Sequence, residues 1–434
     1  MQNITAEQTT DLTSKKILID TTFLFDQYSF RGIGKYGKEV IKRLIKLCLE
    51  DNVEVYFVGF HDLKKNLIAL GLSQFSVDQY LKYVNFYSLG YPIDSSVGNY
   101  KRWSTTFKLA IEEIKPDIYF SANFERGLPT IWNYKRQLSY IPKTAVMAHD
   151  AIPLATHSYS SKSIVHNLLK GIFYRTMFSG VRNADIVLTN SNYSKNDLVK
   201  YGKVKEEKIV PIYLGVDEKF SIPSTASEVK HVMKAFGLEA RNYFIYDSGL
   251  EKNKGIGDLI KIFKNLISFN IEGLPTKLVL VGKDFTKAQG EKINPKNERA
   301  NKVLKELKAN GILNNVITTD RVSDEDLTVL IKQAYCYFNF SKYEGFSFGP
   351  LQAMSAGVPT IVGNYSCIPE VTQGAAFLVE SQNTAKASKE IKEYLNNPKL
   401  IEEFIKKGKT VANEYDWDKT AKETWNNLKT LITN

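Results

Sequence analysis

The sequence predicts an α/β protein made of two doubly wound parallel sheets, and three observations carry that expectation. Short apolar runs rich in Val, Ile, Phe and Tyr recur at 17–20, 53–60, 117–122, 144–149 and 185–191, separated by amphipathic segments of helix length. Alternation of this kind belongs to strands wrapped by helices. A break follows at 215–229, GVDEKFSIPSTASEV, whose Ser, Thr and Pro content reads as an interdomain linker. The alternation then resumes at 243–247, 278–282, 316–319, 335–340, 360–363 and 376–379. The expected layout is therefore a polar tail over 1–14, a first domain over 15–215, a linker at 216–229, a second domain over 230–413 and a closing helix over 414–434.

Composition narrows the class. The 434 residues allow two large cores, and Lys and Arg outnumber Asp and Glu by 58 to 47 for a net charge of +11. That excess suits phosphate-bearing ligands, anionic lipid or nucleic acid. The basic residues are scattered and accompany no nucleic-acid module, so nucleic acid is not expected as a partner. The three cysteines, Cys48, Cys336 and Cys367, show no close pairing, which argues against a disulfide framework or a zinc site and for a reducing, cytoplasmic compartment. The polar start has no signal-peptide character, and no uncharged apolar run reaches the ~18 residues needed to cross a bilayer.

In the first unit, Gly32, Gly34 and Gly37 spell GxGxxG, but 11 residues separate Gly32 from the end of the run at 17–20. A dinucleotide fingerprint needs its glycines directly after the strand. The segment reads instead as a glycine loop opening a helix over 35–48, with a tight turn and close packing as the purely structural account of Gly34 and Gly37. Val40, Ile41, Leu44, Ile45 and Cys48 form the buried stripe of that helix. Lys35, Lys38, Lys42, Arg43 and Lys46 lie elsewhere on it, either solvated or facing anionic headgroups. His149-Asp150 follows the strand at 144–148, where parallel strands of such sheets face a ligand crevice. A lone histidine is more often structural, and Asp150 either orients it or caps the turn. Asn190 and Ser191 end another strand, with Ser194 and Asp197 as a capping-box-like helix start.

In the second unit, the strand at 243–247 leads past Lys252 and Lys254 into a helix, and a cation there suits a diphosphate. The strand at 278–282 is followed by Lys283, and RVSDEDL at 321–327 places acids at a helix start rather than in a metal site. The densest stretch is 342–370, KYEGFSFGPLQAMSAGVPTIVGNYSCIPE. It reads as strand exit, loop, helix, with Pro350 at the first helical position and Gly357 as a left-handed stop. Amides of Phe346, Ser347 and Phe348 would then offer an anion site. Glu344 and Gln352, one at the strand exit and one in the helix, reach the same cleft, where a carboxylate grips neutral hydroxyls better than phosphate. Glu370 is a weaker candidate, and Trp417 and Trp425 are packing residues of the closing helix.

The stretch at 342–370 resembles the signature of the retaining family 4 glycosyltransferases, in which two glutamates separated by seven residues bracket a GF-G-PL-EAM-A-G-P segment. Here the second glutamate is Gln352. The resemblance implies a GT-B fold, two facing Rossmann-like domains with the C-terminal helix crossing back to the first. It also implies retaining transfer of a hexose from a nucleotide diphosphate sugar to a hydroxyl of a glycan or lipid-linked glycan, with no metal and no further cofactor. By the same resemblance Glu344 holds the transferred sugar and Gln352 the ribose, while Gly345, Phe346, Ser347, Phe348 and Val322 line the donor. Lys254 matches the family's phosphate lysine, and Asn253 stands where its arginine is usual. His149 matches the histidine of an H-D-x-I-P turn that contacts the transferred sugar. Arg31, Gly32 and Gly34 match a loop near donor phosphate or acceptor. The RGIGKY and HDAIP segments resemble bacterial O-antigen and capsule mannosyltransferases, favouring GDP-mannose with UDP-sugars left open, and the inner face of the membrane as a place of work. The alternatives are a non-catalytic or partner-dependent sugar-binding subunit, in which Asn253 and Gln352 mark lost chemistry, and a nucleotide-sugar epimerase.

Overall fold

A computed structural model of the chain describes residues 12, 14–26, 29, 31–90, 97–123, 138–156, 174–175, 178–282, 298–319 and 322–433. The chain divides into two compact units, one formed by 1–215 with 417–434 and the other by 216–416. Most of the expected tail, together with Lys283 and Arg321, lies outside the described residues.

The first unit is a seven-stranded parallel sheet in the order β3-β2-β1-β4-β5-β6-β7. Its strands are β1 (Lys16–Asp20), β2 (Glu54–Gly59), β3 (Val84–Ser88), β4 (Ile118–Ser121), β5 (Lys143–Met147), β6 (Ile186–Thr189) and β7 (Ile209–Pro211). The second is a six-stranded parallel sheet, β10-β9-β8-β11-β12-β13, built from β8 (Phe244–Tyr246), β9 (Leu278–Leu280), β10 (Val316–Thr318), β11 (Cys336–Asn339), β12 (Thr360–Gly363) and β13 (Phe377–Val379). The central strands are buried on both faces, which is why they read as continuous apolar runs. In each unit the strand order reverses beside the first strand, so the crevice of a doubly wound sheet opens between β1 and β4 and between β8 and β11.

Several expectations about local structure are corrected. The strands β3 and β7 did not stand out in the sequence: both are edge strands, β3 half exposed and β7 only three residues ending in Pro211. The helix after the glycines runs Gly32–Glu50, so Gly32 and Gly34 lie inside its first turn rather than in a loop before it. Gly37 is there for close packing, since a Cβ would stand 2.3 Å from the Phe23 ring. The helix at Asn192–Lys200 is capped by Ser191, which accepts from the Ser194 amide at 3.0 Å, three residues earlier than the Ser194 start read from sequence. Part of the 216–229 segment is ordered structure: a 3-10 turn at Glu218–Phe220 buries Phe220, and a capping box of Thr225 and Glu228 starts a helix at Ala226–Phe236. Pro350 is the third residue of the helix Phe348–Ser355, still among positions that need no intrahelical donor, while Gly357 takes the expected left-handed conformation at φ 69°.

The closing helix, Trp417–Thr433, packs along Gly32–Glu50 of the first unit. Trp425 is buried and its indole N–H donates to Asp51 Oδ2 at 2.6 Å. Lys429 pairs with the same carboxylate at 3.0 Å. Basic residues of Gly32–Glu50 are answered by carboxylates of the protein: Lys42 and Arg43 by Glu39 at 2.6 and 2.7 Å, Arg43 also by Asp418, and Lys46 by Glu50 at 3.8 Å. Those pairs compete with any lipid headgroup. Among the described residues no helix is long and apolar enough to cross a membrane.

Candidate functional site

In the second unit the site is assembled from two loops that leave adjacent strands. After β8 come Asp247, Ser248 and Gly249, then a 3-10 turn at Lys252–Lys254, then Gly255, which starts the helix Ile256–Ser268. Gly255 is required twice over: its φ is 71°, and a Cβ would stand 2.1 Å from the Phe340 carbonyl oxygen. That close approach brings the β8 loop onto the exit of β11. Two hydrogen bonds fasten it, Lys342 N–H to the Asn253 carbonyl at 2.7 Å and Asn253 Nδ2 to the Tyr343 carbonyl at 2.9 Å. The outcome is an ion pair between Lys254 Nζ and Glu344 Oε1 at 2.6 Å, with side chains 23% and 13% exposed.

The expected site residues occupy distinct positions around that pair. Asn253 spends its side-chain amide on the neighbouring loop. Glu344 is also held through its backbone, whose N–H donates to Ser366 Oγ at 3.1 Å. Gly345 continues the loop. Phe346 is buried edge-on against Phe348 and Tyr415, at ring separations of 5.3 and 5.8 Å. Ser347 stands at the N-cap position of the helix without a side-chain capping bond, in an unusual backbone conformation, φ 70° and ψ 84°. Phe348 opens the helix, and Gln352 is buried within it. Val322 sits before Ser323, whose hydroxyl accepts from the Asp326 amide at 3.0 Å, so the acids at 324–326 do mark a helix start.

One half-buried group here, Asp247, was missed by the reading of the sequence. Desolvation raises the Asp247 carboxyl above its usual range, opposed by the hydrogen bond from Tyr337 and by Lys254, and reinforced by Glu344. Gly349 makes room for this contact, since a Cβ there would lie 1.9 Å from Tyr337 Oη. The available signal was a carboxylate as the last residue of an apolar run.

In the first unit, His149 lies just beyond β5 and is 5% exposed. Burial pushes its pKa down to about 4, although a hydrogen bond to the Ala122 backbone favours the protonated ring. At neutral pH the imidazole is uncharged, and its Nε2 has no hydrogen-bond partner among the described residues. Its ring meets Tyr36 edge-on at 5.1 Å, which ties it to the first turns of Gly32–Glu50. Arg31 is the N-cap residue of that helix, with no side-chain capping bond, Gly32 is exposed and Gly34 buried. Asp150 caps the following turn by accepting from the Ile152 amide at 2.9 Å. Asn190 Oδ1 and Thr189 Oγ1, at the exit of the adjacent β6, are likewise buried without partners among the described residues. Among the described residues no cluster of three His, Cys, Asp or Glu side chains could hold a metal.

The family models for Glycosyltransferase Family 4 and for Glycosyl transferases group 1 match residues 31–220 and 230–411, one on each unit. The chain belongs to the glycosyltransferases of GT-B fold. It is 24% identical over 327 residues to O-antigen chain mannosyltransferase B of Escherichia coli, covering 74% of this chain and 76% of that one. It is 20% identical over 409 residues to the serotype-specific mannosyltransferase WbdA of Escherichia coli, covering 93% of this chain but only 47% of that longer protein. Among solved structures, Anabaena Alr3699/HepE in complex with UDP-glucose superposes with a TM-score of 0.68 at 15% identity, over 96% of this chain and 99% of that one.

Proposed function

We propose that this glycosyltransferase is a retaining hexosyltransferase. It takes a nucleotide diphosphate sugar, GDP-mannose ahead of UDP-sugars, and passes the hexose to a hydroxyl of a glycan or lipid-linked glycan during surface polysaccharide synthesis. The observation that carries the proposal is the Lys254–Glu344 pair at the strand-order reversal of the second sheet. It sets a cation and a hydroxyl acceptor side by side at the edge where such sheets bind ligands. The mannosyltransferase relatives favour a mannose donor, and the Anabaena neighbour in complex with UDP-glucose keeps UDP-sugars in play.

In the proposed mechanism Lys254 and the amides around Ser347 hold the diphosphate. Negative charge grows on the leaving phosphate as the glycosidic bond breaks, so these donors stabilise the transition state more than the ground state. That phosphate takes the proton of the incoming hydroxyl, and attack on the same face retains configuration. Glu344 turns from Lys254 to the hydroxyls of the sugar, Gln352 bonds the ribose, and neutral His149 offers Nε2 to a sugar hydroxyl. No metal is assigned a step. The proposed setting is the cytoplasm, at the inner face of the membrane where an acceptor is lipid-linked.

The test is thermal stabilisation of the purified chain against a panel of GDP- and UDP-sugars, since saturation near 100 Kd adds about 2.7 kcal/mol without an acceptor. The expected result is a shift with one donor class, followed by incorporation of its labelled sugar into an acceptor. Isomerised donor without incorporation would point to an epimerase, and no shift with any donor to a sugar-binding subunit without this chemistry.

A further inference from the structure

Ser347 poses a question that its neighbours answer. It lies on the loop proposed to hold the donor phosphates, and its φ of 70° and ψ of 84° fall where a residue with a Cβ is rarely found. Such a conformation persists only when surrounding contacts hold it. The contact in place is Asn339, the last residue of β11 and 1% exposed. Its Nδ2 donates to Ser347 Oγ at 3.2 Å and lies 3.4 Å from Ser248 Oγ, on the loop after β8. Its Oδ1 accepts from the Ser341 amide at 2.9 Å. One buried amide thus uses both its donor hydrogens and its acceptor to join the two loops that carry Lys254 and Glu344.

We propose that Asn339 is a positioning residue for the donor site, holding Ser347 in its left-handed conformation so that the amides at 346–348 converge on the diphosphate. The inference rests on the donor-site reading above. Without the tether, Ser347 relaxes toward the ordinary regions of backbone space and the loop must be re-formed each time a nucleotide binds. A glycine at 347 adopts φ 70° without a Cβ penalty, so it dispenses with the tether. Residue 339 therefore acts through the backbone of 347 and touches no ligand itself.

The test measures binding of GDP and UDP by calorimetry to wild type, Asn339→Leu, Ser347→Ala, Ser347→Gly and the double variant Asn339→Leu/Ser347→Gly. Asn339→Leu and Ser347→Ala should each weaken binding about tenfold, the scale of one strained residue left unsupported. Ser347→Gly should bind more tightly than Ser347→Ala, and the double variant more tightly than Asn339→Leu alone, because glycine carries no Cβ penalty for the tether to offset. Wild-type affinity in Ser347→Ala overturns the inference. Equal losses in Ser347→Ala and Ser347→Gly also overturn it, because the hydroxyl itself would then be the ligand contact. If Asn339→Leu fails to fold, the Ser347 pair decides alone. Absence of GDP and UDP binding by wild type would instead remove the donor-site reading, and this inference with it.

Discussion

At the exit of β1 the buried Asp20 accepts the Tyr119 hydroxyl at 2.8 Å, and at the exit of β8 the half-buried Asp247 accepts that of Tyr337. The two contacts share one register. Tyr119 pairs in the ladder with Leu18 and Tyr337 with Ile245, and each aspartate stands two residues beyond its tyrosine's partner, on the same side of the strand. Burial drives both carboxyls above their usual range. The units part company in the loops that follow. In the first, the chain turns back at once and Thr22 caps Asp20 with its amide at 2.8 Å and its hydroxyl at 2.7 Å. In the second, the loop runs on to Lys254, which meets Glu344. A common frame has therefore been given an edge centred on a neutral imidazole, His149, in one unit and an edge centred on the Lys254–Glu344 ion pair in the other. Function lives in what the frame carries: the charged edge suits a diphosphate and the neutral edge suits hydroxyls.

The largest effect should come from erasing that difference. Lys254→Ala removes the cation and leaves Glu344 as an uncompensated carboxylate beside the proposed phosphate site. We expect kcat/KM to fall by about 10² to 10³, the scale of losing one preorganised donor, with free GDP or UDP binding weakened as well. Glu344→Ala should lower turnover of the sugar nucleotide while sparing free-nucleotide binding. Wild-type turnover in Lys254→Ala would return the pair to a structural role and make the two edges chemically alike.

The neutral edge has its own signature, in pH. His149 has a folded pKa of about 4, against about 6.5 in an unfolded chain. Between those values the unfolded state binds the extra proton, so stability is fully present above about 6.5 and is lost as pH falls toward about 4. Asp197 works with the opposite sign, because burial raises its carboxyl to about 6. The measurement is therefore a difference. Denaturant unfolding of wild type and His149→Asn, compared from pH 7.5 to 4.5, should show wild type losing on the order of 2 to 3 kcal/mol more. Parallel curves for the two proteins would mean that His149 is not held neutral by burial, and the contrast between the edges would lose its electrostatic half.

Much of the frame was legible because burial on both faces writes central strands as apolar runs. The strands that escaped notice, β3 and β7, lie at sheet edges where one side meets solvent and the pattern dilutes. At the proposed site, spacing and residue type placed Lys254 and Glu344 at the exits of neighbouring strands, where the structure pairs them, and put Gln352 in the following helix. Asn253 was assigned to the donor but bonds the Tyr343 carbonyl, a choice that depends on how close Gly255 lets two loops approach. The left-handed backbone of Ser347 could not be read, since it contradicts the residue type and depends on Asn339, eight residues away. Asp247 and Tyr337 illustrate the same limit: each looks like an ordinary strand residue until the register places them together.

The smallest effect sharpens the comparison from the other direction, by adding charge instead of removing it. Gln352 is buried as the fifth residue of the helix Phe348–Ser355, one turn in from its start. If it bonds ribose hydroxyls, Gln352→Glu keeps an acceptor oxygen where the amide oxygen stood, and the carboxylate's desolvation is offset by the hydroxyls it accepts from. We expect GDP or UDP affinity within about threefold of wild type, less than 1 kcal/mol in binding. The same addition at the neutral edge has no such compensation, because Asp20 is already burdened by burial and uses its carboxylate oxygens on Thr22 and Tyr119. Collapse of nucleotide binding in Gln352→Glu would show that the charged edge has no capacity for a second carboxylate, and would place Gln352 in the packing beneath the loop rather than on the ribose.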